Sequence, residues 1–176
     1  MIEIILGVIA GIGLLLFIIT IINNRFKFAV IKIEKAEEDI NIYLQKKKDL
    51  LERTRPIIKK ELKLKEFLNE IEDITDELNN FKKNDYLKKI SNEVYKTIDE
   101  NEKLYKSESL MSIIDNLNDN EENIVGAIKF YNDTVVDYNK IAISFPTNII
   151  ALFKGYKKKE FYNNEKREMF EILNEK

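Results

Sequence analysis

The first two dozen residues follow a different pattern from the rest of the chain. From Ile4 to Ile22 the positions are apolar or glycine except for Thr20, and no charged side chain interrupts them. At ~1.5 Å of rise per residue, such a run is long enough to cross ~30 Å of hydrocarbon as an α-helix. A helix of a soluble core would show a polar stripe, and this one is apolar on every side. The pattern predicts a transmembrane anchor over residues 1–24. A cleavable signal starts basic and ends on small residues. This chain starts Met1-Ile2-Glu3 and leaves the run at Ile21-Ile22-Asn23, so the anchor is expected to stay attached.

After Asn24 the pattern becomes two-faced. Phe28, Ile31, Ile40, Tyr43, Leu44, Leu50 and Leu51 recur at helical spacing, while EKAEED and QKKKD fill the outer face. The helix is expected to leave the anchor without a break. Pro56 interrupts it within RTRPIIKK, among charged and β-branched neighbours that suit a kink better than a hairpin turn. From Ile57 the pattern resumes through Ile58, Leu62, Leu68, Ile71, Ile74, Leu78 and Phe81, and a loop is expected at NNFKKND, where Asn79, Asn80, Asn84 and Asp85 crowd together. A second helix is predicted from about Tyr86 to Tyr105 on Leu87, Ile90, Val94, Ile98 and Leu104. Ser107 then reads as the N-cap of a long helix that stops before Pro146. A shorter helix from about Lys158 to Leu173 would close the bundle through Phe161, Met169, Phe170 and Leu173.

Composition supports this all-α reading. Two prolines and five glycines among 176 residues, with 44% hydrophobic and 34% charged, favour long helices over sheets or disorder. Residues 25–176 are enough for one domain of ordinary size. A net charge of −2, with Lys and Glu interspersed, lacks the concentrated basic face that tracks phosphates, so no nucleic acid partner is expected.

The chain has no cysteine, which rules out disulfides, thiol nucleophiles and thiolate metal sites. It has no histidine, which rules out the Ser/His/Asp triad, the HExxH zinc helix and the Glu-x-x-His motif of di-iron bundles. Gly7, Gly11 and Gly13 lie inside the apolar run while Gly126 and Gly155 stand alone, so nothing resembles a phosphate-cradling loop. Acidic residues mostly alternate with lysine, as on a solvated face. No enzymatic activity, cofactor or metal is expected.

The flanks of the anchor predict its orientation. Arg25, Lys27, Lys32 and Lys35 follow it and no basic residue precedes it, so the N-terminus is expected outside and the body in the cytoplasm, at the cell membrane. Gly7 and Gly11 form a GxxxG pair, a candidate dimerisation face, although such glycines are also common in membrane helices that stay single. The expected partners are the lipid bilayer, an unidentified protein and a second copy of the chain.

The C-terminal third, Glu122 to Phe161, reads ENIVGAIKFYNDTVVDYNKIAISFPTNIIALFKGYKKKEF. Its Tyr131-Asn132 and Tyr138-Asn139 pairs stand seven residues apart, followed by Phe145-Pro146-x-Asn148 and then Phe153-x-Gly155-Tyr156. This combination resembles the signature region of the LemA family. A weaker resemblance covers Asn24 to Leu50, through Ala36, Ile40 and LQKKKDL. The chain departs from the family at Glu37, where a Trp is usual, at Asn41, where an aspartate is, and at Glu52, which replaces a proline. The resemblance implies an N-terminally anchored bacterial membrane protein, with an up-and-down antiparallel four-helix bundle and no catalytic set.

The motif residues also have a physical reading. Tyr131, Asn132, Tyr138 and Asn139 share one helix face as a polar seam, whose amides and phenols can reach neighbouring backbones. A role in fixing bundle register is favoured over a ligand site. Phe145-Pro146-Thr147-Asn148 reads as a helix stop and a restart capped by Thr or Asn. Ile149, Ile150, Leu152 and Phe153 beside Lys154, Lys157, Lys158 and Lys159 make an apolar wedge with a basic edge, a candidate membrane-interface segment. The alternative is a plug at the end of the bundle. A hairpin at Pro56 would bring this segment back to the bilayer, and a kink would leave it at the far end. The function expected is an interaction or scaffold module at the membrane, with a lipid sensor acting through residues 149–159 as the alternative.

Overall fold

The structure, a computed structural model, describes residues 1–75 and 77–162. Among them the helices are α1 (Ile2–Leu62), α2 (Asn80–Asp99), the single turn α3 (Glu102–Tyr105), α4 (Glu108–Ile143) and α5 (Thr147–Lys154), with a 3-10 turn at Asn69–Asp73. No strand occurs among the described residues, so the chain is all-α and begins with a long apolar helix. The expected closing helix is not formed at 158–162, and 163–173 lie outside the described residues.

Helix α1 meets two different surroundings. Its apolar run is exposed through residue 18, and the window able to cross a membrane has no protein cover. From Ile22 onward burial follows a spacing of three and four, through Phe26, Ala29, Ile33, Ala36, Ile40, Leu44, Lys47, Leu51, Thr54 and Ile58. That spacing is one stripe of a helix. Pro56 lies exposed within α1 and does not end it, so the hairpin reading is excluded.

The reversal comes later, and it corrects the helix expected to run on to Phe81. Lys63 adopts a left-handed conformation (φ 55°), and the Leu64 N–H bonds back to the Lys59 carbonyl at 3.0 Å. This closes α1 with the geometry that usually carries glycine. A lysine there costs ~1 kcal/mol and leaves no mark in the hydrophobic pattern. Leu68, also left-handed, Phe67, Ile71 and Ile74 bury the returning segment. Arg55 of α1 holds it by donating to Glu72 and to Asn69, both at 2.6 Å, and Lys48 donates to the Ile74 carbonyl at 2.7 Å. Hydrogen bonding to Arg55 first, then its charge, holds the Glu72 carboxyl below its usual range.

The expected loop at NNFKKND is instead a helix start. Asn79 is the N-cap, its side chain accepting from the Lys82 N–H at 3.0 Å, as clustered Asn permits just as well as a loop. Helix α2 then stops at Asp99 rather than Tyr105. Ser107 precedes α4, where its carbonyl accepts from the Met111 N–H at 3.0 Å. Helix α4 ends at Ile143, before Pro146, as expected.

The chain forms two compact units, Met1–Lys35 with Phe130–Lys176, and Ala36–Lys129. In the second unit the core joins Ile40, Leu44, Leu51 and Ile58 of α1 with Ile71, Ile74, Leu87, Ile90, Val94 and Ile98 and with Leu110, Leu117 and Ile124 of α4. Asn80 donates to the Glu37 carbonyl at 2.9 Å and Lys83 to Asn41 at 3.1 Å, so α2 starts beside residues 37–41. The first unit is centred on Phe26, Ile33, Val135 and Tyr138.

Candidate functional site

The motif residues come together in the first unit, on the last turns of α4. Tyr131, Asn132, Tyr138 and Asn139 are all buried, and three of them, Tyr131, Asn132 and Asn139, bond the segment that follows α5. The Asn139 amide donates to the Lys159 carbonyl at 2.9 Å and accepts from the Lys159 N–H at 2.8 Å. In this way a side chain meets both backbone groups of one residue, as a neighbouring strand would. Asn132 accepts from the Tyr162 N–H at 2.7 Å, and the Tyr131 hydroxyl donates to the Glu160 carbonyl at 3.0 Å.

The spacing of the motif has a geometric basis. Seven residues of helix rise ~10.5 Å, and three residues of extended chain span ~10 Å. Asn132 and Asn139 are therefore in step with residues 162 and 159.

Tyr156, at the head of this segment, is joined to the end of the apolar run. Its hydroxyl donates to Asn23 at 3.0 Å, and its ring stacks on Phe26 with centroids 4.4 Å apart. Phe26 in turn meets the Tyr138 ring edge-on at 5.8 Å. Burial, and secondarily Tyr156, pushes the Tyr138 phenol above its usual pKa. The expectation that only a hairpin at Pro56 could bring this region to the end of the apolar run is thus overturned. The chain reverses at Lys63 instead, and residue 156 lies beside residue 23.

Helix α5 sits between the two tethered ends. The Thr147 hydroxyl donates back to the Ser144 carbonyl at 2.7 Å and also to that of Ile141, and Pro146 at the N-cap makes no side-chain bond. This corrects the capped restart, since the hydroxyl secures the end of α4 rather than the start of α5. Gly155, left-handed at φ 73°, ends α5, with the Tyr156 N–H reaching the Ala151 carbonyl at 2.9 Å. A glycine suits this turn because a Cβ is disfavoured there.

The two faces of α5 are unlike those of a core helix. Thr147 and Ala151 are buried, Ile150 is half-buried and Ile149 is exposed, while Leu152 and Phe153 are 81% and 84% exposed. Phe145, before α5, is 81% exposed as well. Lys154, Lys157, Lys158 and Lys159 stand in solvent, and a groove of about 370 Å³ is lined by Val30, Tyr138, Tyr156 and Lys157–Lys159.

A second polar cluster, in the other unit, escaped the sequence reading. Lys47 is 1% exposed and donates to Glu121 at 2.7 Å. Asn120 is fully buried and donates to the Tyr43 carbonyl at 3.0 Å, while its Oδ1 has no hydrogen-bond partner among the described residues. Tyr95 donates to Asn118 at 2.7 Å, and burial, then the Glu121 charge, raises its pKa. The available signal was register. Lys47 falls three after Leu44 and four before Leu51, on the buried stripe, although it belongs to a lysine run that reads as solvated.

Gly7 and Gly11 face open space, for a Cβ added to either meets nothing within 4 Å. Among the described residues no three acidic side chains gather closely enough to hold a metal ion. What the arrangement offers chemically is recognition: amides that read an extended backbone, and an apolar face edged by ammonium groups.

The sequence model of the LemA family matches residues 36–172. No curated protein and no solved structure matches the chain. The family match takes in the stretch between the two resembling segments as well as both Tyr-Asn pairs and the Phe-Pro-x-Asn stop. With most of its length matched, the chain belongs to the LemA family.

Proposed function

We propose that this chain is a membrane-anchored, non-enzymatic member of the LemA family, whose helices offer an interaction surface at the cell membrane to another protein or to a second copy. The observation that carries the reading is the apolar part of α1, long enough to span and without protein cover. A soluble protein would not leave a face of this size in water. The absence of Cys and His supports a binding role over catalysis, since the residues best suited to activated constellations are missing.

In this reading the N-terminus is outside and the body is cytoplasmic, in keeping with Arg25, Lys27, Lys32 and Lys35 just after the run. Gly7 and Gly11, open on the helix surface, suit close approach of a second span. Washing membranes with alkaline carbonate tests the anchor: the intact chain is expected to stay in the pellet, and its release would overturn the reading. Proximity labelling from a C-terminally fused enzyme then reports sidedness and protein neighbours together. The exposed Leu152 and Phe153 beside Lys154 favour a second reading, a membrane-surface regulator acting through residues 149–159.

A further inference from the structure

We infer that α5 is an interfacial helix. Its outer face of Ile149, Leu152 and Phe153, with Phe145 before it, enters the leaflet through which α1 emerges, and Lys154 and Lys157–Lys159 engage the phosphates of acidic lipid headgroups. This deepens the second reading above, and it rests on α1 being a span.

Three observations meet here. The first is polarity. Positions 149, 152 and 153 share a helix face, and all three are large, apolar and exposed, whereas the fully buried positions are the small Thr147 and Ala151, with Ile150 half-buried beside them. The residues that burial in water would favour are on the outside, so the solvent of that face is not water.

The second is position. Tyr156, next but one after α5, bonds to Asn23 and stacks on Phe26, the residues at which the apolar run ends. Protein cover on α1 begins within the turn before Asn23, with Ile19 half-buried and Ile22 buried. Eight residues of helix measure ~12 Å, so α5 cannot lie far from the level at which the span leaves the hydrocarbon. Interfacial helices bury their apolar face by about 5–10 Å at that level.

The third is charge. Four exposed lysines follow Phe153 in the sequence before the next acidic residue, Glu160, a local positive charge of the kind that an acidic leaflet attracts. Tethers at both ends keep α5 in place, through the Thr147 hydroxyl on Ile141 of α4 and on Ser144 just after it, and through Tyr156 with the Asn139 grip on Lys159.

Because the chain has no cysteine, a single introduced one can carry a nitroxide without interference. The full-length chain is reconstituted in vesicles of phosphatidylcholine with phosphatidylglycerol, labelled through Phe17→Cys, Leu152→Cys or Asn92→Cys. Relaxation by dissolved oxygen is compared with relaxation by a water-soluble nickel chelate. The label at 17 is expected deep in lipid, that at 92 in water, and that at 152 shielded from nickel and open to oxygen at shallow depth.

With the label at 17 in lipid, the inference is overturned if the label at 152 meets nickel as freely as that at 92. It is equally overturned if that label is hidden from both reagents, which would mean a protein partner or second copy covers the face. A label at 17 that meets nickel would instead defeat the span itself. Phe153→Cys repeats the measurement at a neighbouring site, and circular dichroism checks that each variant is folded.

Replacing Lys157, Lys158 and Lys159 by Gln, which leaves the Lys159 backbone bonds intact, is expected to raise nickel access at 152 several-fold. Omitting phosphatidylglycerol should do the same, and no change in either case overturns the headgroup assignment.

Discussion

Helices α2 and α5 are both two-faced, yet they turn opposite faces to the protein. In α2, Leu87, Ile90, Val94 and Ile98 point inward, while Lys82, Lys88, Lys89, Glu93 and Lys96 stand outside. In α5 the small Thr147 and Ala151 point inward, and Leu152 and Phe153 stand outside. The first helix is held by apolar burial, the second by hydrogen bonds and tethers at its ends. Amphipathicity alone therefore does not say which face is the core, and in α5 the large apolar Leu152 and Phe153 are left outside it.

The strongest way to test this contrast is to place a charge on the inner face of α2. Ile90→Asp puts an unpaired carboxylate in the core and should cost about 4 kcal/mol or more, leaving the chain largely unfolded. Denaturant titration of the full chain in detergent, followed by circular dichroism, measures it, and a loss below ~1 kcal/mol would mean that the stripe is not the core.

Next comes the tether of α5. Asn139→Ala removes both bonds to Lys159 and should cost about 1–3 kcal/mol. Amide exchange at residues 159 to 162 should accelerate while α2 stays protected, which sharpens the difference between a helix held by its core and one held by its ends.

The buried lysine of α1 gives a smaller effect. Glu121→Gln leaves the Lys47 ammonium without its counter-charge and should cost about 1–2 kcal/mol, because Glu121 itself remains partly in water. Lys47→Met, which fills the same space without a charge, should be close to neutral. If the two variants were equal, the pair would not be buried as a unit.

Alkaline pH tests both units at once. The phenols of Tyr138 and Tyr95 lie above their usual value of about 10, chiefly through burial. Between the unfolded value and the raised folded one, the folded chain keeps protons that the unfolded chain has released. Their contribution is thus complete below about pH 10 and is lost as pH rises through the folded values. Starting from neutral pH, the tyrosines leave the denaturation midpoint unchanged up to that point and lower it above.

The smallest effect is expected on the outer face of α5. Phe153→Ser should change stability in detergent by less than about 0.5 kcal/mol, as an exposed substitution does, against the large loss at Ile90.

Several features of the site are legible in the sequence alone. The seam of Tyr131, Asn132, Tyr138 and Asn139 was visible as a seven-residue repeat, and the wedge at 149–153 as an apolar run with lysines after it. Lys47 was not, because a lysine in QKKKD looks solvated unless the register of the whole stripe is known. The end of α1 is hidden in the sequence for a related reason. Lys63 takes a backbone conformation that glycine usually marks, and the apolar spacing of Leu68, Ile71 and Ile74 suits a packed irregular segment as well as a helix.

The sequence by itself determined what depends on local composition. The length and polarity of the apolar run, the all-α class and the stop before Pro146 follow from neighbours in the chain, as does the family signature. Tertiary structure decided what depends on distant partners: where α1 turns back, that Asn132 and Asn139 hold an extended segment, and which face of α5 is left outside. Those outcomes compare the energies of contacts between residues far apart in the chain, and no local pattern contains that comparison.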